Sequence, residues 1–380
     1  MMEQIKQYMD KLVSINSVYP TNSCKEICEY IEKELTRFPL QVTLHNHAPD
    51  KYNVCATLGE GRPHLVLNSH VDTIAPGDGW ESAPFTVTQE GDNLYGLGIS
   101  NCKALTALHM ALASKLAQDV NFTGKVTFTF VCDEEKLGQD GLASLRGEVL
   151  GPVDSLLVAA PSNNQLICRE RGIMWMKLRV FGKSAHAGKP EIGDSAVLRM
   201  VRILSKVEAQ YLPTLSQQDR DGLASTMNVS KLHGGENTNV VPAYCEIEID
   251  RRFPLGISVD QAFTELEQFI SSLGEPDDSW ELLTLLGTEP YESKSEGKLN
   301  ESLGCAIEKI TGKAPQYIDA VGAFDGRYFS SDNLEIITFG SGDGAEGHAD
   351  NEKISLQELE ASAAIHLNAI HRYLNIEGNK

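Results

Sequence analysis

The fold class is decided by the stretch Lys125-Val-Thr-Phe-Thr-Phe-Val-Cys132, which continues as Asp133-Glu134-Glu135. Its near-continuous run of β-branched and aromatic residues is typical of a strand buried on both faces, as in the sheets of α/β proteins. Similar apolar runs occur at residues 64–69, 155–160 and 335–339, and segments with helical periodicity lie between them. We therefore predict an α/β sheet covered by helices on both sides.

The middle of the chain follows a different pattern from the rest. Residues 173–285 contain, in order, a strand, a helix, two strands, a helix and a strand, which is the βαββαβ order of a ferredoxin-like domain. The α/β pattern then resumes and ends in a helix that opens with the capping box Ser355-Leu-Gln-Glu358. The first domain is thus predicted to be discontinuous, over residues 1–172 and 286–380, with the second domain inserted at 173–285.

Composition and charge exclude several classes of protein. The 380 residues carry 33 Lys and Arg against 53 Asp and Glu, a net charge of −20, which argues against nucleic acid and anionic membranes as partners. No apolar run is long enough for a membrane span, and the N-terminus has helical periodicity instead of a signal-peptide core. Eight scattered cysteines without a CxxC pair indicate reduced thiols. We expect a cytoplasmic protein without a disulfide framework.

Polar residues follow three of the predicted strands directly. His70 and Asp72 come after the first, Glu134 and Glu135 after the second, and His348 lies in a glycine-rich loop after the last. In an open α/β sheet the strand carboxyl ends form the ligand edge, so these side chains should converge. Imidazole nitrogens and carboxylate oxygens are zinc ligands, and an unligated Glu could take a proton from water. A solvated turn or a structural His-Asp pair is the alternative interpretation of each residue alone.

The order of these residues resembles a known family. It is similar to the co-catalytic zinc deacylases and exopeptidases, which include acetylornithine deacetylase, succinyl-diaminopimelate desuccinylase, aminoacylase and carboxypeptidase G. The resemblance spans nearly the whole chain. It rests on Asn68-Ser-His-Val-Asp-Thr73, Leu94-Tyr-Gly-Leu-Gly98, Asp133-Glu-Glu135, Gly182-Lys-Ser-Ala-His186, Asn239-Val-Val-Pro242, Asp250-Arg-Arg252, Phe324-Asp-Gly-Arg327 and His348-x-x-x-Glu352.

The resemblance implies a zinc-exopeptidase-like sheet domain and a role for each matching residue in it. His70 would bind one metal ion, and Asp72 would orient it. Glu134 would be the general base, while Glu135 and His348 would bind the other ion. The expected reaction is hydrolysis of the amide bond of an N-acyl amino acid or small peptide.

The inserted domain would act as a lid and a dimerisation domain. There, His186 resembles the histidine that crosses a dimer interface to stabilise the oxyanion. Asn239 and Arg252 resemble lid residues that bind the substrate's reacting group and its carboxylate. Arg252 could equally pair with an acidic neighbour in its own strand. The resemblance therefore implies a homodimer with a small-molecule substrate.

Two departures affect the metal site. Asn101 stands where the family has a carboxylate that bridges both metals, and Ala160 stands where it has an acid that binds the first. Zinc at a catalytic site prefers three protein ligands, so we expect one ion, with Asn101 as a further ligand and the His70 site empty. Cys102 could supply a thiolate, or a nucleophile if a helix begins at Lys103, or be a buried thiol.

The leading hypothesis is therefore a metal-dependent amide hydrolase with one zinc ion. Two alternatives remain open. One is a non-catalytic, small-molecule-binding pseudoenzyme that keeps the pocket without its metals. The other is a non-hydrolytic amide chemistry, acyl transfer or condensation, in amino-acid-derived biosynthesis.

Overall fold

The computed structural model describes residues 1–118, 123–294, 296–320 and 322–375, and the chain divides into two compact units. The first unit comprises Met1–Cys168, Ser293–Ala320 and Phe324–Lys380, and the second comprises Arg169–Glu292 and Val321–Ala323. The sequence pattern predicts changes of domain after residues 172 and 285, whereas the compact units change over after residues 168 and 292. Among the described residues, no helix combines the length and the apolar character that crossing a membrane requires.

The described elements follow the alternation of the sequence. The helices are α1 (Met2–Ser14), α2 (Lys25–Leu35), α3 (Ala104–Leu116), α4 (Leu142–Leu145), α5 (Ala196–Lys206), α6 (Leu212–Leu215), α7 (Val259–Ser271), α8 (Lys298–Thr311) and α9 (Leu356–Tyr373). The strands are β1 (Gln41–Ala48), β2 (Lys51–Glu60), β3 (His64–His70), β4 (Thr88–Glu90), β5 (Asn93–Tyr95), β6 (Gly124–Val131), β7 (Ser155–Val158), β8 (Leu166–Glu170), β9 (Gly172–Phe181), β10 (Ala185–His186), β11 (Asp219–Arg220), β12 (Leu223–Ala224), β13 (Thr226–Gly234), β14 (Val240–Val241), β15 (Tyr244–Phe253), β16 (Trp280–Thr288), β17 (Tyr291–Glu292), β18 (Tyr317–Asp319), β19 (Glu335–Thr338) and β20 (Lys353–Ser355).

The first unit is built on a mixed sheet with a parallel centre. Its strands follow the order β1-β2-β6-β3-β7-β19-β8, and β6, β3, β7 and β19 are mutually parallel. Every residue of β3, β7 and β19 is buried, as expected for strands covered on both faces. This result confirms the predicted α/β class. Because the central strands are parallel, their carboxyl ends meet at one edge of the sheet.

The second unit has the topology of a ferredoxin-like domain. Its four-stranded antiparallel sheet has the order β13-β15-β9-β16, and α5 and α7 pack on its strands. The two inner strands, β9 and β15, alternate buried and partly exposed residues along most of their length. The predicted βαββαβ order is therefore confirmed.

The last helix shows how a local sequence signal is used. Ser355 caps α9 by accepting the N–H of Glu358 at 3.1 Å, as the predicted capping box requires. The reciprocal half of the box is not made: the Glu358 carboxylate accepts the N–H of Gly342 instead, at 3.0 Å. Glu358, which the capping box predicts to bond back to the start of its own helix, thus binds the glycine-rich loop after β19 instead.

Two histidines are buried in the core of the first unit. His109 of α3 and His366 of α9 are fully buried, with ring centroids 5.7 Å apart. The Nδ1–H of His366 donates to the Ser362 carbonyl at 2.8 Å, and neither ring nitrogen of His109 has a partner among the described residues. Burial lowers the pKa of both rings, that of His366 to about 4. Both side chains are therefore neutral in the folded protein.

We expect this pair to make the fold sensitive to acid. An unfolded His366 binds a proton below about pH 6.5, whereas the folded ring resists protonation down to about pH 4. Its stabilising contribution is thus present above pH 6.5 and is lost as the pH falls, by roughly 3 kcal/mol in total. Urea unfolding at pH 7.5 and 5.0 should show a smaller decrease in the free energy of unfolding for His366→Phe than for the wild type. An exposed control, His47→Phe, should behave like the wild type; an unchanged pH dependence in His366→Phe would contradict the assignment.

Candidate active site

His70 lies at the carboxyl end of β3 and is fixed by Asp72. Its Nδ1–H donates to the Asp72 carbonyl at 3.1 Å and lies 3.5 Å from the Asp72 carboxylate, so Nε2 faces the neighbouring strand ends. The Asp72 carboxylate also accepts the N–H of Glu135 at 3.1 Å and thereby links the ends of β3 and β6. Burial alone would lower the pKa of His70, but Glu134 and Asp72 raise it well above its usual range. Asp72 thus contacts both the ring of His70 and the backbone of Glu135.

Glu134 and Glu135 follow β6 and point to the same place as His70. Glu134 Oε2 lies 3.9 Å from His70 Nε2, and one donor atom each from His70, Glu134 and Glu135 lies within 4.8 Å of the other two. Glu134 is buried, and burial raises the pKa of its carboxyl. The group has the donor chemistry of a metal site.

His348 reaches this group from the loop after β19. Its backbone has a left-handed conformation with φ +69°, which is uncommon for a residue with a side chain and is often found at functional sites. The loop is anchored to a neighbouring loop, because Asp350 accepts the N–H of Gly79 and Asn351 accepts the N–H of Glu81. His348 Nε2 lies 2.8 Å from Glu135 Oε2, and this contact raises the pKa of His348.

Asn101 lies between the two histidines. Its Oδ1 is 3.3 Å from His70 Nε2, and its Nδ2 is 3.3 Å from Glu135 Oε1 and 3.5 Å from His348 Nε2. The structure therefore brings together the predicted metal-site residues His70, Glu135, His348 and Asn101, together with Glu134.

Glu352 is a residue of this region to which the sequence analysis assigns no role. It is buried, and its carboxylate accepts the backbone N–H groups of Gly98, Ser100 and Asn101, each at 2.8 Å. These three bonds fix the loop that carries Asn101. Its position four residues after His348 was the one sequence signal that pointed to it.

Ala160 and Cys102 add no ligand to this group. Ala160 follows β7, is buried, and has no donor atom in its side chain. Cys102 is fully buried, its Sγ contacts the Ala159 carbonyl at 3.4 Å, and burial raises its pKa to about 12. The interpretation of Cys102 as an activated helix-start thiol is wrong, because its backbone is not helical and α3 begins at Ala104. The alternative, a buried thiol, is confirmed.

The donor set fits a divalent ion. Neutral imidazole nitrogen and carboxylate oxygen are the usual zinc ligands, and three of them suffice for a catalytic site with one open position. The amide of Asn101 carries no charge, and the side chain of Ala160 has no donor atom.

The three remaining predicted site residues belong to the second unit. His186 in β10 is exposed. Strand β10 pairs with β14, which begins immediately after Asn239. The carbonyl of Asn239 accepts the N–H of Ala187 at 3.0 Å. His186 and Asn239 thus lie close together within that unit. Arg252 is bound by its neighbour, since Nε and Nη2 donate to the two Asp250 carboxylate oxygens at 2.6 and 2.8 Å. The acidic pairing left open by the sequence is therefore the one observed.

The chain is similar to known proteins over most of its length. Residues 168–278 match the peptidase dimerisation domain of the M20 family. The chain is 28% identical over 345 residues to the succinyl-diaminopimelate desuccinylase of Bordetella avium, covering 85% of this chain and 86% of the relative. It is 25% identical over 381 residues to the enzyme of the same name from Thiobacillus denitrificans, covering 96% and 93%.

Solved structures share the fold over almost the whole length. An M20 family metallo-carboxypeptidase from Sulfolobus solfataricus aligns with a TM-score of 0.82 at 16% identity, over 98% of this chain and 100% of that one. A tripeptidase from Staphylococcus aureus aligns with a TM-score of 0.79 at 20% identity, over 99% of each. The names of the sequence relatives support hydrolase activity. The dimerisation-domain match and the sequence relatives support the resemblance to the deacylases and exopeptidases, and the solved structures show the shared fold.

Proposed function

We propose that the chain hydrolyses the amide bond of an N-acyl amino acid or small peptide and uses one zinc ion. The observation that supports this function is the convergence of His70, Glu134, Glu135 and His348 at the carboxyl edge of a parallel sheet. The desuccinylase names of the relatives favour an acylated amino acid as the substrate class.

Each residue of the site has a separate role in the proposed reaction. When bound, a zinc ion polarises a carbonyl oxygen and lowers the pKa of a coordinated water. Glu134, buried beside His70, accepts the proton of the attacking water and returns it to the leaving amine. Asp72 keeps His70 in the tautomer with a free Nε2.

The second unit supplies the substrate contacts in this proposal. His186, from across a dimer interface, donates a hydrogen bond to the oxyanion of the tetrahedral intermediate, and Asn239 contacts the reacting group. Arg252 would bind a substrate carboxylate only by sharing or exchanging its pair with Asp250.

The proposal is tested by metal content together with a substrate screen. Protein without a His-tag, equilibrated with zinc, should retain about one ion per chain and hydrolyse at least one N-acetyl or N-succinyl amino acid or dipeptide. Bound substrate without turnover would instead support the non-catalytic binder. Asn101 favours that second candidate. Its uncharged amide donates a hydrogen bond to Glu135 at a position where a catalytic metal centre would use a charged ligand.

We also propose a homodimer formed through the second unit. The α5 helix exposes Leu198 and Val201, at 61% and 53%, and the edge strand β13 exposes most of its residues on both faces. Apolar surface beside an unpaired edge strand suits a self-complementary, two-fold interface.

Charges on α5 should therefore dissociate the dimer. Leu198→Asp combined with Val201→Asp is expected to give a monomer in analytical ultracentrifugation at micromolar concentration, because two carboxylates would be buried without partners. Leu285→Asp on the opposite edge strand β16, where Leu285 is 48% exposed, is the matched control and should remain dimeric. A wild-type monomer, or a dimer unaffected by the double change, would contradict this interface.

A further inference from the structure

The amide of Asn101 gives the site two unequal sides. Glu135 Oε1 lies 3.3 Å from the amide, and an ionised carboxylate only accepts hydrogen bonds, so it is Nδ2 that must face Glu135. The amide oxygen consequently faces His70. A carboxylate at this position could offer an oxygen to each side, whereas the amide offers a metal ligand only to the side of His70.

The distances on the two sides differ in the same sense. Ligands of a tetrahedral zinc ion at about 2.0–2.1 Å are separated from each other by about 3.3 Å. His70 Nε2 and Asn101 Oδ1 are 3.3 Å apart, so this pair has the spacing of two ligands of one ion. His348 Nε2 and Glu135 Oε2 are 2.8 Å apart, which is the spacing of a direct hydrogen bond. The His348 side is closed by that bond.

The atoms that define this asymmetry are held firmly. Asp72 fixes the ring of His70, and the three N–H bonds to Glu352 fix the backbone that carries Asn101. Glu135 is held at its backbone by Asp72 and at one carboxylate oxygen by His348. Its other carboxylate oxygen accepts an N–H of the Asn101 amide at 3.3 Å, and one of its two oxygens lies within 4.8 Å of a donor nitrogen of His70, which brings Glu135 within reach of an ion shared with His70.

We propose that the single ion binds on the His70 side, through His70 Nε2, Asn101 Oδ1 and the Glu135 carboxylate, and that His348 is a positioning residue that orients Glu135. This assignment rests on the proposed one-zinc function and reverses the expectation of an empty His70 site. It also names Asn101 as the residue that prevents a second ion from binding. Asn101→Asp would place a second anionic oxygen towards Glu135 and His348 and create a further site there.

The test measures zinc per chain by elemental mass spectrometry, after equilibration with Zn²⁺ and gel filtration, and repeats the titration with Co²⁺ followed by visible absorption. The wild type should bind about one ion, and His70→Ala should lose it. His348→Ala should keep one ion with an affinity about 10- to 100-fold lower, and His348→Gln should recover part of that loss, as expected for an outer partner of a ligand. Asn101→Asp should bind about two ions.

The controls separate the possible failures. Asn333→Asp adds the same charge on the exposed surface and should still bind one ion. A His348→Ala variant that loses the ion while His70→Ala keeps it would overturn the assignment, although the one-zinc function would stand. An Asn101→Asp variant that still binds one ion would overturn the role given to the amide. A wild type that binds no ion would contradict both the assignment and the proposed function.

Discussion

Replacement of Glu134 by glutamine is expected to lower kcat about 100- to 10,000-fold, the usual contribution of a general base. The substitution keeps the size and shape of the side chain but removes its ability to accept a proton. Glu134 is buried beside His70, with Glu134 Oε2 3.9 Å from His70 Nε2. A carboxylate from solvent therefore cannot easily take over its role as base. Steady-state kinetics on the best N-acyl amino acid found in the substrate screen would measure the loss.

Zinc content distinguishes a base from a ligand at this position. If Glu134 acts as the base, Glu134→Gln should retain about one ion per chain despite its low kcat. Glu346→Gln removes the same charge from the His348 loop, where Glu346 pairs with Lys353, and should leave kcat unchanged. A Glu134→Gln enzyme with wild-type kcat would refute the role of Glu134, and one that has lost its zinc would identify Glu134 as a ligand.

Much of the central fold was predictable because strands buried on both faces have near-continuous apolar sequences. Strand β3, for example, was predicted at residues 64–69 and spans His64–His70, since all seven of its residues are buried. Strands β1 and β2 were not predicted. All of β1 is partly or fully exposed, and its polar residues show no alternation to detect. The short strands β4, β5 and β20 have three residues each, too few to establish a period.

The site was predictable only as far as topology determines it. His70 ends β3, and Glu134 and Glu135 lie just beyond the end of β6, which pairs parallel with β3, so the sheet itself brings them together. The orientation of the Asn101 amide follows from contacts with residues 34 and 247 positions away in the sequence, which no local pattern encodes. The same is true of Glu352, whose three N–H partners lie about 250 residues before it. Contacts of this kind appear only when the loops have folded.

Glu352 therefore supports the most demanding prediction about the loops. Glu352→Ala should leave three buried backbone N–H groups without their acceptor, at roughly 1–3 kcal/mol for each donor that water does not reach. Because those bonds hold the loop that carries Asn101, the variant should also bind zinc about 10- to 100-fold more weakly. Urea unfolding of the metal-free protein and competitive zinc titration with a chelator measure the two effects separately.

A second buried carboxylate provides the matched control. Glu335 accepts the N–H groups of Leu299 and Asn300 at the start of α8, at 2.9 and 2.6 Å, and it lies at the amino end of β19, away from the strand ends that carry the site. Glu335→Ala should lower the free energy of unfolding by a similar amount and leave the zinc affinity unchanged. If both variants lose zinc in proportion to their loss of stability, Glu352 is a structural residue only. If Glu352→Ala alone loses affinity, the loop it fixes is part of the metal site, because stability alone cannot separate the two variants.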